Sequence, residues 1–152
     1  MIEVHKSVDA DNRTATQVLT PEVLLVNTKS HIRDVDKGMN FIADQLIERG
    51  EKHDHTKIEN INQFCDALKS NNVKNTFWYN MHIREERHHL KSNPPEDVTL
   101  IDVIEHLVDC TMAGLTRSGH IFDVDLPPEL LVKAAANTVE MLKNNVTVVD
   151  DT

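Results

Sequence analysis

Between Thr20 and Arg49 the apolar residues Ile32, Val35, Met39, Ile42 and Leu46 return at steps of three and four. That period is one stripe of an α-helix; the faces of a strand alternate at every residue. The same step recurs in the later patterned segments, and alternating runs of β-branched residues are few. The expectation is an all-α fold, a bundle of about five or six helices with no sheet of consequence. Only 4 Gly and 5 Pro leave little material for a loop-rich β-sandwich.

Helix signals divide the chain. Thr20-Pro21-Glu22 supplies a capping hydroxyl, a first-turn proline and an acid, and Gly50 suits the position just past a helix end. Asn27-Thr28 marks a place where this first helix is expected to break. A second helix is expected from Thr56 to Ser70 with Ile58, Ile61, Phe64, Cys65 and Leu68 inward, and a third from Thr76 to Leu90, capped by Asn75, with Phe77, Trp78 and Met81 packed. The fourth, Thr99 to Thr116, starts at Thr99 or Asp97. It is apolar around more than one face and therefore expected at the centre. A fifth opens at Leu126-Pro127-Pro128-Glu129 and runs to Asn144, with Leu131, Ala135, Thr138 and Leu142 inward. Residues 1–18 read as a polar arm, 19–145 as the helical domain and 146–152 as an acidic tail.

Cys65 and Cys110 lie in apolar helical patterns and read as buried free thiols of a cytoplasmic protein. No apolar run has the length of a membrane span. A net charge of −9 argues against binding a DNA duplex. It leaves room for a bound dication that reverses the local field.

The chemistry concentrates in Glu51-Lys52-His53-Asp54-His55-Thr56-Lys57. Neighbours on a helix diverge by about 100°, close enough for His53 and Asp54 to meet one ion between them. Imidazole nitrogen and carboxylate oxygen are both good ligands for Mn, Fe, Co, Ni or Zn. A solvated charged turn is the plain alternative, and the rest of the histidine supply weighs against it: 9 His in 152 residues. His31 sits beside the apolar stripe of the first helix. His82 and His89 share a face of a straight helix, and His88 points about 120° away unless the helix ends there. Asp109 lies among apolar neighbours, where a carboxylate needs a metal, an Arg or a His. Lys57, one turn after Asp54, is either its ion-pair partner or a cation for a phosphate.

This order of residues resembles the HD-domain superfamily, whose signature is a first His, a His-Asp doublet and a late Asp on helices. His53-Asp54-His55-Thr56-Lys57 also resembles the His-Asp-x-x-Lys form of HD-GYP phosphodiesterases, without the GYP part. It is similar to small phage and bacterial HD-like proteins with His-Asp-x-Ser-Lys, a Trp followed by His and a His-His pair, and Glu-x-x-x-Asp. Here these read as the doublet stretch, Trp78, His82, His88-His89, and Glu105 through Asp109, over residues 25 to 120. Those relatives carry Asn-Pro before the His-His pair; this chain has Glu86-Arg87, so either His88 or His89 is open as the inward residue.

The resemblance implies an HD-like helical bundle that hydrolyses a small phosphate ester, most often a nucleotide, with one or two divalent transition metals. The implied ligands of one metal are His31, His53, Asp54 and Asp109; a second would share Asp54 and take His82 with His88 or His89. Lys57 would neutralise phosphate charge, and Glu85, Glu105 or His106 would orient ligands or move a proton. A di-iron oxygenase on the same fold and a non-catalytic nucleotide- or protein-binding phage protein are the alternatives. The sequence leaves monomer and homodimer both open.

Overall fold

The computed structural model describes residues 1–6, 13 and 18–150. Most of the polar arm expected over residues 1–18 therefore lies outside the described residues. Among the described residues there are six α-helices: α1 Pro21–Lys52, α2 His55–Glu59, α3 Ile61–Lys69, α4 Phe77–Glu85, α5 Leu100–Ser118 and α6 Pro128–Asn145. Two short strands, β1 Ile2–Lys6 and β2 Val146–Asp150, flank them. The protein is mostly helical, as its periodicity requires, and no described helix is long and apolar enough to cross a membrane.

The chain divides into two compact units, residues 1–45 with 140–152, and residues 46–139. In the first, β1 and β2 pair in parallel, Ile2 opposite Val146 through Lys6 opposite Asp150. Ile2 is buried, and Val146-Thr147-Val148-Val149 is a β-branched run. The segments read from sequence as arm and tail thus supply strands. The Lys37 ammonium on α1 donates to the Glu3 carbonyl at 2.7 Å. α1 runs unbroken through Asn27-Thr28 and past Gly50, and its apolar stripe does not face a core: Ile32, Val35 and Met39 are exposed.

The second unit holds two apolar clusters. Leu90, Val98, Val103 and Ala134 pack with Leu126 and Leu130, while Ala67, Trp78 and Met81 pack with Phe64 and Tyr79. The expected second helix is two, α2 and α3, parted at Asn60, whose φ of −117° and ψ of 39° leave the helical region. Of the residues expected inward there, Ile58, Ile61, Cys65 and Leu68 are exposed and Ala67 is buried instead. Cys110 is half-buried rather than buried; both cysteines are free. Thr76, not Asn75, caps α4: its hydroxyl accepts the Tyr79 N–H at 3.2 Å. Phe77 is exposed beside the buried Trp78 and Met81.

Thr99 caps α5: the Asp102 carboxylate accepts the Thr99 backbone N–H at 2.8 Å and its hydroxyl at 3.0 Å. Its buried face is Ile101, Asp102, Val103, Glu105, His106 and Gly114, half of it polar. Ile104, Leu107, Val108 and Met112 are exposed instead. At Gly114 a Cβ would strike the His120 carbonyl and come within 2.6 Å of the Phe122 nitrogen, so only glycine lets the chain after α5 fold back on it. On α6, Ala134 and Thr138 turn inward, whereas Leu131 and Ala135 are exposed. The Thr138 hydroxyl accepts the Leu100 N–H at 2.8 Å.

Candidate metal centre

The centre lies in the second unit, where the end of α1, the start of α2, α4 with the turn after it, and α5 bring polar side chains together. Asp54 sits between α1 and α2 with φ 56° and ψ 23°. It is the one non-glycine among the described residues with positive φ. Aspartate tolerates this left-handed backbone better than most residues, yet it still costs about 1–2 kcal/mol, and such strain persists where surroundings impose it. The conformation breaks the helix between His53 and His55.

α4 ends at Glu85. That early end resolves the geometry of the His-His pair. His88 and His89 occupy a turn rather than a helix face, and both lean inward: His88 is 2% exposed and His89 is half-buried. His106 on α5 supports this turn, its Nδ1 lying 3.1 Å from the His88 carbonyl. Glu86 and Arg87 directly precede the pair, and both are used.

Four imidazoles form a continuous row of ring contacts, two of them tilted and one edge-on. Centroids are 4.4 Å apart for His53 and His88, 4.4 Å for His88 and His89, and 4.7 Å for His89 and His82. Trp78 extends the row and stacks on His82, 4.8 Å away and nearly parallel to it at 16°. The Nε2 atoms of three of these rings face Asp54. His53 Nε2 is 3.5 Å from Oδ2, His82 Nε2 3.6 Å and His88 Nε2 3.7 Å from Oδ1.

The Nδ1 atoms of the same three rings face outward to supporting groups. Glu105 Oε1 lies 2.9 Å from His53 Nδ1 and 3.1 Å from His88 Nδ1. His82 Nδ1 lies 2.7 Å from the Thr56 hydroxyl, which is 2.6 Å from Glu86 Oε1. A hydroxyl has one proton, and the carboxylate can only accept it. Thr56 therefore donates to Glu86 and accepts from His82 Nδ1–H, which leaves His82 Nε2 as a bare lone pair aimed at Asp54. Burial lowers the His82 pKa and keeps the ring neutral at pH 7. The Thr56 N–H also donates to Glu86, at 2.9 Å, and Thr56 is fully buried.

His89 Nε2 stands 2.9 Å from His82 Nε2. With the His82 proton on Nδ1, either His89 supplies a proton to that gap or a shared cation fills it. Burial, then the neighbouring His88 and His82, push the His89 pKa down to about 4, so no imidazolium is expected there. On the other side of Asp54, His53 Nε2 also lies 3.5 Å from Asp109 Oδ1. Asp109 and Glu105 together push the His53 pKa up to about 10. Burial raises the Glu105 pKa, but His53 and His88 outweigh it and bring it to about 2.

These atoms suit a cation. Ligands about 2.0–2.2 Å from one ion stand roughly 3 to 3.5 Å from each other. Among the described residues three groups of donor atoms lie mutually within 4.8 Å: His53, His88 and Glu105; Asp54, His88 and His89; Asp54, His82 and Glu86. Asp54 Oδ1 is buried and makes no hydrogen bond, and an orphaned buried acceptor needs an explanation. Asp54, Glu86, Glu105 and Asp109 place four carboxylates here. The nearby fixed cations are Lys57, paired with Asp54 Oδ2, and Arg49, 3.6 Å from Glu105.

The sequence-expected ligands His53, Asp54, His82, His88 and His89 are thus brought together, with Glu105 behind them and Asp109 against His53. His31 is exposed on α1 in the first unit and joins none of these groups. Glu85 is exposed, 3.6 Å from Arg84, rather than in the centre. Sequence reasoning missed Glu86 and Thr56 as supports. An acid directly before a His pair, and the hydroxyl two places after the doublet, were the available signals. It also placed the buried carboxylate at Asp109. The fully buried one is Asp102, held by Arg87 at 2.8 and 2.9 Å and by Arg49 at 3.3 Å.

Beside His53, Glu105 and Asp109 a cavity of about 370 Å³ opens, walled by Leu46, Ile104, Val108 and Met112, with Arg49 and Gly50. Its size is that of a small-molecule site and its walls are mostly apolar. Compared with family models, curated proteins and solved structures, the chain matches none.

Proposed function

We propose that this protein is a metal-dependent phosphohydrolase that acts on a nucleotide or a related small phosphate ester. The observation that carries the reading is the orientation of the imidazoles: Nδ1 held from behind by Glu105 or by Thr56 with Glu86, and Nε2 aimed at Asp54. Ligating histidines are typically oriented in this way by outer carboxylates. His53, Asp54, His82, His88 and His89 would hold one or two divalent ions, with Asp109 completing the His53 side. The bound dication would supply Lewis-acid activation of water and neutralise phosphoryl charge.

The remaining work falls to the chain. Glu105, Thr56 and Glu86 fix the tautomer and direction of the rings. Lys57 is paired with Asp54 and one-third exposed, so its ammonium can exchange that partner for a phosphoryl oxygen. The cavity beside His53 would take the organic part of the ester against Ile104, Val108 and Met112.

The test is elemental analysis of protein purified without chelator, then a screen of nucleotides and phosphate esters with Mn²⁺, Fe²⁺, Co²⁺, Ni²⁺ and Zn²⁺. Bound metal and phosphate release are expected. Oxygen uptake by the iron-loaded protein without phosphate release would replace this reading with an oxygenase. Absence of metal binding would remove both.

A further inference from the structure

We infer that Arg49 is a positioning residue of the metal centre, tying the Glu105 carboxylate to the buried Asp102 and so holding in place the oxygen that faces His53 and His88. The inference rests on the metal-binding reading above and adds a residue outside its ligands and their supports. Asp102 and Glu105 stand one turn apart on the buried face of α5, 0% and 8% exposed. Arg49 comes to both from the last turn of α1. Its Nη1 is 3.3 Å from Asp102 Oδ1 and its Nε is 3.6 Å from Glu105 Oε2.

The two oxygens of Glu105 have different surroundings. Oε1 lies 2.9 Å from His53 Nδ1 and 3.1 Å from His88 Nδ1. Oε2 is buried and makes no hydrogen bond, and the charge that faces it is Arg49. A buried carboxylate oxygen deprived of its facing charge is costly, and the group turns toward water where it can. Room for that turn is at hand, because Glu105 and Arg49 both line the cavity beside His53. Without Arg49, Glu105 would rotate into the cavity and withdraw Oε1 from the two rings. Asp102 is the fixed end of the tie. Arg87 holds its oxygens at 2.8 and 2.9 Å, and the Thr99 N–H and hydroxyl donate to it at 2.8 and 3.0 Å.

The plain rival is a cation at a helix C-terminus, favourable to the dipole wherever its side chain points. Lys52 shares the last turn of α1, and its ammonium pairs with Glu48 at 2.6 Å, on the exposed side. It is therefore the control for a general positive field.

Zn²⁺ titration of the full chain tests the inference. Arg49→Met should weaken affinity about 10- to 100-fold, the range for loss of an outer partner of a ligand. Lys52→Met should leave it unchanged. Glu105→Gln should weaken affinity by itself, and Arg49→Met added to it should cost little more, since the group through which Arg49 acts is already altered. Arg49→Lys offers one point charge in place of a fork that spans two carboxylates, and should weaken affinity about threefold if Arg49→Met proves too unstable to titrate. Wild-type affinity in both Arg49 variants, an equal loss in Lys52→Met, or effects of Arg49 and Glu105 that multiply would each overturn the inference. The same contact is read without metal by the His53 Nδ1–H signal in NMR of chelator-treated protein. It should be present in wild type and lost in Arg49→Met. A wild-type chain that binds no Zn²⁺ removes the metal reading; a signal that survives Arg49→Met removes this inference.

Discussion

Thr56→Val removes one oxygen and keeps the shape of a fully buried side chain. The hydroxyl bridges two groups, accepting from His82 Nδ1 at 2.7 Å and donating to Glu86 Oε1 at 2.6 Å. A hydrogen bond to a charged group is worth about 1.5–3 kcal/mol, and an orphaned buried donor costs about 1–3 kcal/mol more. Glu86 keeps the Thr56 N–H at 2.9 Å and has His55 Nδ1 at 3.1 Å, which softens its loss. The expected cost to chelator-treated protein is therefore about 2–4 kcal/mol, an order-of-magnitude figure built from these two effects. For a chain of this size that is a fall in melting temperature of roughly 5–15 °C. In protein that retains its fold, freeing the His82 ring should also weaken metal affinity about 10- to 100-fold, as loss of an outer hydrogen bond does. Urea melts in chelator measure the first effect and metal titration the second. If stability falls as expected but metal affinity does not move, His82 is held for packing alone and is not a ligand. If neither moves, the Thr56 bridge is energetically empty and the reasoning fails.

Asp54→Gly should abolish metal binding while keeping the left-handed backbone; Asp54→Ala should abolish it and melt lower by about 1 kcal/mol, since alanine pays the αL strain that glycine avoids. Metal analysis and denaturant melts of the two variants check both halves. Lys57→Met should leave metal content intact, cost about 1 kcal/mol of stability or less, and lower turnover about a hundredfold. Activity spared by that change would make Lys57 an ion-pair partner only. Arg87→Met strands the buried Asp102 carboxylate and should cost about 3 kcal/mol, discounted toward the low end of a broken buried pair because Arg49 remains. An unchanged denaturation midpoint would contradict it. In chelator, stability should peak near pH 6.5. His53, raised to about 10, stabilises fully below its unfolded value of 6.5 and loses that contribution as pH rises toward 10. His89, lowered to about 4, stabilises above 6.5 and loses its contribution as pH falls to 4, with Glu105 following from 4.5 toward 2. His89→Gln should flatten the limb between pH 4 and 6.5, read as melting temperature against pH.

The helical class could be read from the chain alone, because apolar steps of three and four are a local property of sequence. So could most of the centre's membership: His53-Asp54, His82, His88-His89, Glu105 and Asp109 carry chemistry in their side chains wherever they fold. What periodicity could not determine was which apolar face is covered. The stripes of α1 and α5 are equally regular in sequence, yet Ile32, Met39, Ile104 and Met112 are exposed while Asp102, Glu105 and His106 are buried. A helix face is buried by what packs against it, and those partners are distant in sequence. The same reason hid the roles of Glu86, Thr56 and Arg87. A hydrogen bond such as Thr56 to Glu86, 30 residues apart, exists only once α4 ends at Glu85 and the chain turns back. The left-handed backbone at Asp54 likewise belongs to the tertiary structure. Aspartate tolerates that conformation but does not choose it, and the packed imidazoles around it impose what the local sequence merely permits.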